Sequence, residues 1–170
     1  MVRGGKDENM KIVKVLLRIV LSFSAGAVFA GIWLHRSMNK AYHRMREMSD
    51  KHFVLYQLMT EWVRVKQEGK EISECLTKRG YKTIAIYGMN YVGRTLLNEM
   101  EGSSVSVVYG IDQNAADIYT EIDVVTPEDE LKEVDAIIVT PIYFFDEIRE
   151  KLEKKTNIPI VSIEDILFEA

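Results

Sequence analysis

Gly88, Asn90 and Gly93 stand at the spacing of a turn that joins a strand to a helix and can cradle a phosphate. In such a turn the first glycine makes the tight bend, the middle position faces a pyrophosphate, and the third lets helix and strand approach closely. Gly88 and Gly93 suit the first and third roles, and Asn90 occupies the second. A side chain there does not forbid a phosphate, because the amides at the start of the next helix still carry partial positive charge. It does weaken the case for NAD. Arg94, in the first helical turn, opposes the helix dipole and is better tolerated with an anion beside it; the plain alternative is an arginine in solvent. Tyr91 offers a flat face to a base or sugar.

Asp112 ends the next apolar run, close to the distance of about 20 residues past a glycine turn at which an acid accepts hydrogen bonds from a ribose diol. The competing role is a loop cap shared with Asn114, since Asp and Asn favour such turns. Thr140 and Tyr143 follow a later apolar run and can face the same crevice with a hydroxyl and a ring. Tyr143, Phe144 and Phe145 are equally suited to packing at a helix start, and Asp146 and Glu147 to stabilising its amino terminus. The chain has no Tyr-x-x-x-Lys pair, no Gly-x-Ser-x-Gly elbow and no P-loop lysine, and its histidines, His35, His43 and His52, all precede this region. The residues therefore point to binding in preference to catalysis. Asp112→Ala and Gly93→Val are expected to abolish binding with the fold intact or nearly so.

The elements that must position these residues are legible from position 81 onward. Apolar, β-branched runs predict strands at 82–87, 105–111, 124–125, 134–139 and 159–163. Helical periodicity predicts helices at 91–100 and 145–155, with at most a short helix at 128–133. Alternating strands and helices with nearly continuous apolar strands imply a parallel sheet covered on both faces. Right-handed crossovers give it a small Rossmann-like order of 3-2-1-4-5, an α/β domain over residues 81–170.

Upstream the composition changes. Residues 1–14 form a basic segment, and 15–34 contain a charge-free run from Ile19 to Leu34 with Lys14 and Arg18 near one end. A membrane-spanning helix needs about 20 mostly apolar residues, and such flanking cations can snorkel. Small residues from Ser22 to Gly31 suit packing in lipid, and Trp33 suits the interface. Residues 15–34 are therefore expected to be an uncleaved anchor, with a signal peptide or a buried soluble helix as alternatives. Basic residues flank it almost equally, so charge does not orient it; the nucleotide-type cargo and lone Cys75 place the downstream domain in the cytoplasm of a single-pass cell-membrane protein. Residues 35–80 read as a helical linker. Met45, Met48, His52, Leu55, Met59 and Trp62 recur at spacings of three and four, which is either a coiled coil pairing two chains through 45–62 or a helix face folded onto the domain. A short helix over 71–79 ends at Gly80 and turns Cys75 toward the core.

At 170 residues the chain accommodates one domain and an accessory segment, and its 22 basic and 26 acidic residues give a net charge of −4. That balance excludes nucleic acid as an expected partner. One cysteine permits no internal disulfide, and no metal-ligand spacing is present.

The run from Lys82 to Met100, with the segments around Asp112, Thr140 and Ile163, resembles the small Rossmann-like nucleotide-sugar-binding domains attached to bacterial polysaccharide-biosynthesis enzymes. The resemblance spans about half the chain, residues 81–170. It implies phosphates near Gly88, Asn90 and Gly93 and a nucleoside near Asp112, with nucleotide-sugar or NAD(P) as ligand. The chain carries no attached catalytic domain of that kind, so the expectation is an accessory or regulatory binding module for envelope-polysaccharide synthesis. Two alternatives stand beside it: an NAD(P)-dependent sugar-nucleotide epimerase or reductase completed by a partner, and an interaction adaptor without ligand.

Overall fold

The structure is a computed structural model describing the backbone from Gly4 to Ala170, and side chains at 14, 16, 33–40, 42, 43, 45, 46 and 48–170. Helix α1 (Gly4–Gln67) is followed by α2 (Ile72–Lys78). Then come β1 (Thr83–Tyr87), α3 (Tyr91–Met100), β2 (Ser106–Ile111), β3 (Val124–Val125), β4 (Ala136–Val139), α4 (Phe145–Glu153), β5 (Ile160–Ser162) and α5 (Ile163–Glu169). Single 3-10 turns, Ala115–Asp117 and Ile142–Phe144, precede β3 and α4. The five strands form one parallel sheet in the order β3-β2-β1-β4-β5. The chain divides into two compact units at 50/51, and the sheet lies in the unit Lys51–Ala170.

Strand residues alternate between two apolar clusters, as the pleat requires. Ile84, Ile86, Ala136 and Ile138 meet Val92, Leu96 and Met100 of α3 with Ile163, Ile166 and Leu167 of α5. Ala85, Tyr87, Tyr109, Ile111, Ile137 and Val139 meet Ile148 and Leu152 of α4. Helices thus cover both faces, the arrangement in which strands can be apolar on both sides.

The first face also takes the end of α1 and all of α2. Leu58, Trp62 and Val65, spaced four and three apart, are buried with Ile72, Cys75 and Leu76 in the α3/α5 cluster. The Trp62 indole donates to the Glu99 carboxylate on α3 at 2.6 Å, and Lys66 bridges Glu99 (3.1 Å) to Glu71 (2.8 Å). Of the seam read from the sequence, Trp62 is buried and Met59 half-buried against the core, whereas Met45, Met48, His52 and Leu55 are exposed. The compact unit accordingly begins at Lys51, well ahead of the strand-based boundary at 81.

Several local expectations are revised. The short helix at 128–133 does not form, because the Asp129 carboxylate accepts from the Thr126 amide (2.7 Å) and hydroxyl (2.9 Å) and closes a turn instead. The loop crossing from β3 to β4 is held by Tyr109, whose hydroxyl donates to the Lys132 carbonyl at 3.0 Å, and by Lys155 donating to the Pro127 carbonyl at 2.6 Å. Helix α5 was not expected; Ser162 caps it by accepting from the Glu164 amide. Asp135, the one polar residue of the fourth apolar run, ties the amino ends of β4 and β1 by accepting from the Lys82 and Thr83 amides (both 2.8 Å) and the Thr83 hydroxyl (2.9 Å). The expected anchor at 15–34 has a helical backbone within α1, but most of its side chains lie outside the described residues. Among the described residues, no helix is long and apolar enough to cross a membrane.

Leu58→Ala should destabilise the protein by about 2–5 kcal/mol in urea denaturation, as loss of a buried leucine does, although a free linker would show almost none. The three hydrogen bonds hold the Asp135 carboxyl below the usual aspartate range, backbone donors first. A depressed folded-state pKa adds stability above the unfolded value that is lost as pH falls through the folded one. The urea midpoint of wild type should therefore exceed that of Asp135→Ala at neutral pH, and the gap should close as pH drops below about 4.

Candidate functional site

The turn after β1 is built around the Gly88 carbonyl. Gly88 has φ +90°, and a Cβ there would lie 2.6 Å from Pro141 Cγ and 2.9 Å from Thr140 Oγ1. Its amide donates to the Ile111 carbonyl of β2 at 2.8 Å. The buried Thr140 hydroxyl shares its proton between the Gly88 carbonyl at 2.7 Å and the Tyr87 carbonyl at 3.1 Å. Gly93 lies beneath this carbonyl, and any Cβ on it would collide with the Gly88 oxygen. Close approach of helix and strand thus requires glycine at 93, and positive φ favours it at 88.

Met89 fixes the turn from the other side. Its side chain is buried over Gly110 of β2, where a Cβ would lie 2.8 Å from Met89 Cγ. Its amide donates to Asp112 Oδ2 at 2.9 Å, and the other oxygen of Asp112 accepts from the Asn114 amide at 2.9 Å. Met89 and Gly110 were not among the expected site residues. A glycine inside a strand is the signal that marks such a close approach. Asn90 is the N-cap of α3, its Oδ1 accepting from the Tyr91 amide at 2.8 Å. Arg94 is exposed, and its Nε donates to the Met89 carbonyl at 3.3 Å.

Three cavities open around this turn at the carboxyl ends of the strands. One of about 450 Å³ is bounded by Met89, Asn90, Tyr91, Arg94, Asp112 and Ile118. A second, about 350 Å³, lies toward α4 between Gly88, Asp112, Pro141 and Lys151. A third, about 240 Å³ and mostly apolar, lies between Lys51, Val54 and Leu55 of α1, Asn90 and Tyr91, and the segment 140–144. There the Lys51 ammonium stands 4.4 Å from the Phe144 ring centre and 5.0 Å from that of Tyr143, which meet edge to face. Larger or similar openings exist at the amino ends of the strands (about 710 Å³) and beside 97–107 (about 460 Å³). Neither touches the strand carboxyl ends, where open parallel sheets bind ligands.

The expected residues therefore divide. Asn90, Tyr91, Arg94 and Asp112 share the first cavity, and Asn90, Tyr91, Thr140 and Tyr143 the third, so Asn90 and Tyr91 form the wall between them. Gly88 lines the second, and Gly93 is buried under the turn. No family model, curated protein or solved structure matches the chain. The chemistry of the site is read from its own atoms. Among the described residues, no three His, Cys, Asp or Glu side chains come together as metal ligands.

The geometry corrects the expectation that Asp112→Ala and Gly93→Val leave the fold intact. Asp112→Ala removes the acceptor of two backbone amides and should lower stability by about 1–3 kcal/mol. Gly93→Ala should cost more, since the Gly88 carbonyl must move and carries the Thr140 hydroxyl with it. Urea denaturation of the two variants checks both the losses and their order.

Proposed function

We propose that the unit Lys51–Ala170 binds a nucleotide-type small molecule, a nucleotide-sugar in preference to NAD(P), at the carboxyl edge of its sheet. The observation that carries this reading is the rigid turn at the β1/β4 switch point, with the amino end of α3 and two cavities meeting at Asn90 and Tyr91. Phosphates lie against the α3 amides beside Arg94, in the first cavity. Asp112 accepts two amides and still has lone pairs for a ribose diol, since a carboxylate has about four acceptor sites. The sugar or base extends past Tyr91 into the groove under Tyr143, where Lys51 supplies positive charge.

The protein binds without turnover in this proposal, because residues 81–170 contain no histidine, no Tyr-x-x-x-Lys pair, no Gly-x-Ser-x-Gly elbow and no P-loop lysine. Anchoring through 15–34 is supported by the charge-free run at 19–34, and a cytoplasmic domain by its nucleotide-type site and lone Cys75. An accessory role in envelope-polysaccharide synthesis is supported by the resemblance of 81–170. A ligand-free adaptor is the second reading. It is favoured by the internal commitments of the site: Asp112, the Thr140 hydroxyl and the Asn90 cap all serve the turn itself.

Thermal unfolding of the full chain in detergent, with UDP-sugars, NAD and NADP, separates the readings. Ligand at about a hundred times its dissociation constant should stabilise by roughly 2.7 kcal/mol. A shift with a UDP-sugar that is reduced by Tyr91→Ala and Lys51→Ala supports the nucleotide-sugar site. A shift with NAD or NADP alone favours the enzyme, and no shift with any of them favours the adaptor.

A further inference from the structure

Inside the unit Lys51–Ala170, α1 is held unevenly along its length. From Leu58 onward it is fixed in two ways: Leu58, Trp62 and Val65 are buried in the core, and Trp62 and Lys66 reach Glu99 of α3. The two turns before it, residues 51–57, contain no buried residue. Lys51, Val54 and Leu55 line the third cavity, the mostly apolar groove of about 240 Å³ that Tyr91, Tyr143 and Phe144 also line. Leu55, Tyr143 and Phe144 are 38%, 45% and 41% exposed, so apolar side chains from α1 and from the segment after β4 share a groove that neither fills. The Lys51 ammonium spans it, 4.4 Å from the Phe144 ring centre and 5.0 Å from that of Tyr143. Segments with few buried apolar contacts open locally at little cost.

We propose that residues 51–57 are a movable wall of this groove, drawn closed by Lys51 on the Tyr143 and Phe144 rings and held closed by whatever fills the groove. A cation over an aromatic face at a partly exposed site favours the closed position by only about two- to fivefold per ring, so the wall is biased and not locked. A molecule that touches Val54 and Leu55 only when the wall is closed binds that state more tightly, and a ligand shifts an equilibrium by this difference in affinity. Linkage makes the effect reciprocal: a pull on α1 from the residues before 51 weakens the occupant's hold, and the occupant stiffens the helix that enters the unit. The site and α1 therefore regulate one another through Lys51, Val54 and Leu55. The coupling to an occupant rests on the nucleotide-sugar reading above, whereas the closing of the wall by Lys51 does not.

The test is amide hydrogen exchange on the full chain in mild detergent, read by mass spectrometry over 51–57, with 61–67 as the fixed part of the same helix. Without ligand, Lys51→Gln should raise exchange over 51–57 about fivefold and leave 61–67 unchanged. Lys51→Arg keeps a cation for the rings and should behave as wild type. UDP-glucose should slow wild-type exchange over both 89–94 and 51–57. Inorganic pyrophosphate, which has neither sugar nor base, should slow 89–94 alone. Unchanged exchange in Lys51→Gln overturns the closing of the wall by Lys51. Protection by UDP-glucose at 89–94 without protection at 51–57 overturns the coupling. If neither compound protects 89–94, the nucleotide reading fails and the coupling to an occupant fails with it, while the Lys51 variants still decide whether the rings hold the wall.

Discussion

The structure depends most on the contact between the Gly88 carbonyl and the backbone of Gly93. That contact sets how near α3 comes to β1, and the same oxygen receives the Thr140 hydroxyl from the end of β4. The Gly88 amide pairs with β2, so one residue links three adjacent strands and a helix. The left-handed conformation at Gly88 turns the chain sharply enough for the amino end of α3 to face the opening at the sheet edge. A side chain at either glycine would push the helix outward and unseat Thr140. The crevice and the fold thus share one constraint, and the residues that shape the site cannot be separated from those that hold the sheet.

Around this centre the coverage of the sheet is unequal. One face carries α3, α5, α2 and the end of α1; the other carries α4 and the irregular loop from β3 to β4. The loop substitutes for a helix because Leu131 and Val134 pack inward, while Tyr109, Asp129 and Lys155 satisfy its carbonyls and amides. On the heavier face α1 is bound by a polar clamp as well as by packing, since Trp62, Lys66 and Glu99 bridge it to α3.

The sheet was legible because parallel strands buried on both sides are apolar runs of β-branched residues, and the runs at 83–87, 106–111 and 136–139 need no alignment to be seen. Their order followed from the handedness of crossovers. Helix α5 escaped notice because seven residues are too few for a helical period to show, and its start is a serine cap directly after β5. The inward face of α1 was legible only in part: Trp62 and Met59 do pack on the core, but only the tertiary core selects Leu58 over Leu55. Residue types and spacing pointed to Gly88, Gly93 and Asp112, which meet at the turn after β1. They did not show that Asp112 is already engaged by Met89 and Asn114, because hydrogen-bond partners on separate loops leave no periodic trace.

Helix α5 closes the same cluster that α1 and α2 enter, with Arg79 on the C-cap of α2 paired to Glu169 and Ile163, Ile166 and Leu167 beside Cys75 and Leu76. An early element and the latest one, α2 and α5, are therefore neighbours, and one of the unit's two cores is assembled from contacts of large sequence separation. Such topologies fold slowly compared with locally connected helices. During synthesis, Leu58, Trp62 and Val65 leave the ribosome long before the cluster they join is completed by α5. Until then an apolar helix face waits uncovered, so the order of translation exposes this chain to aggregation or to chaperone capture at one definable interval.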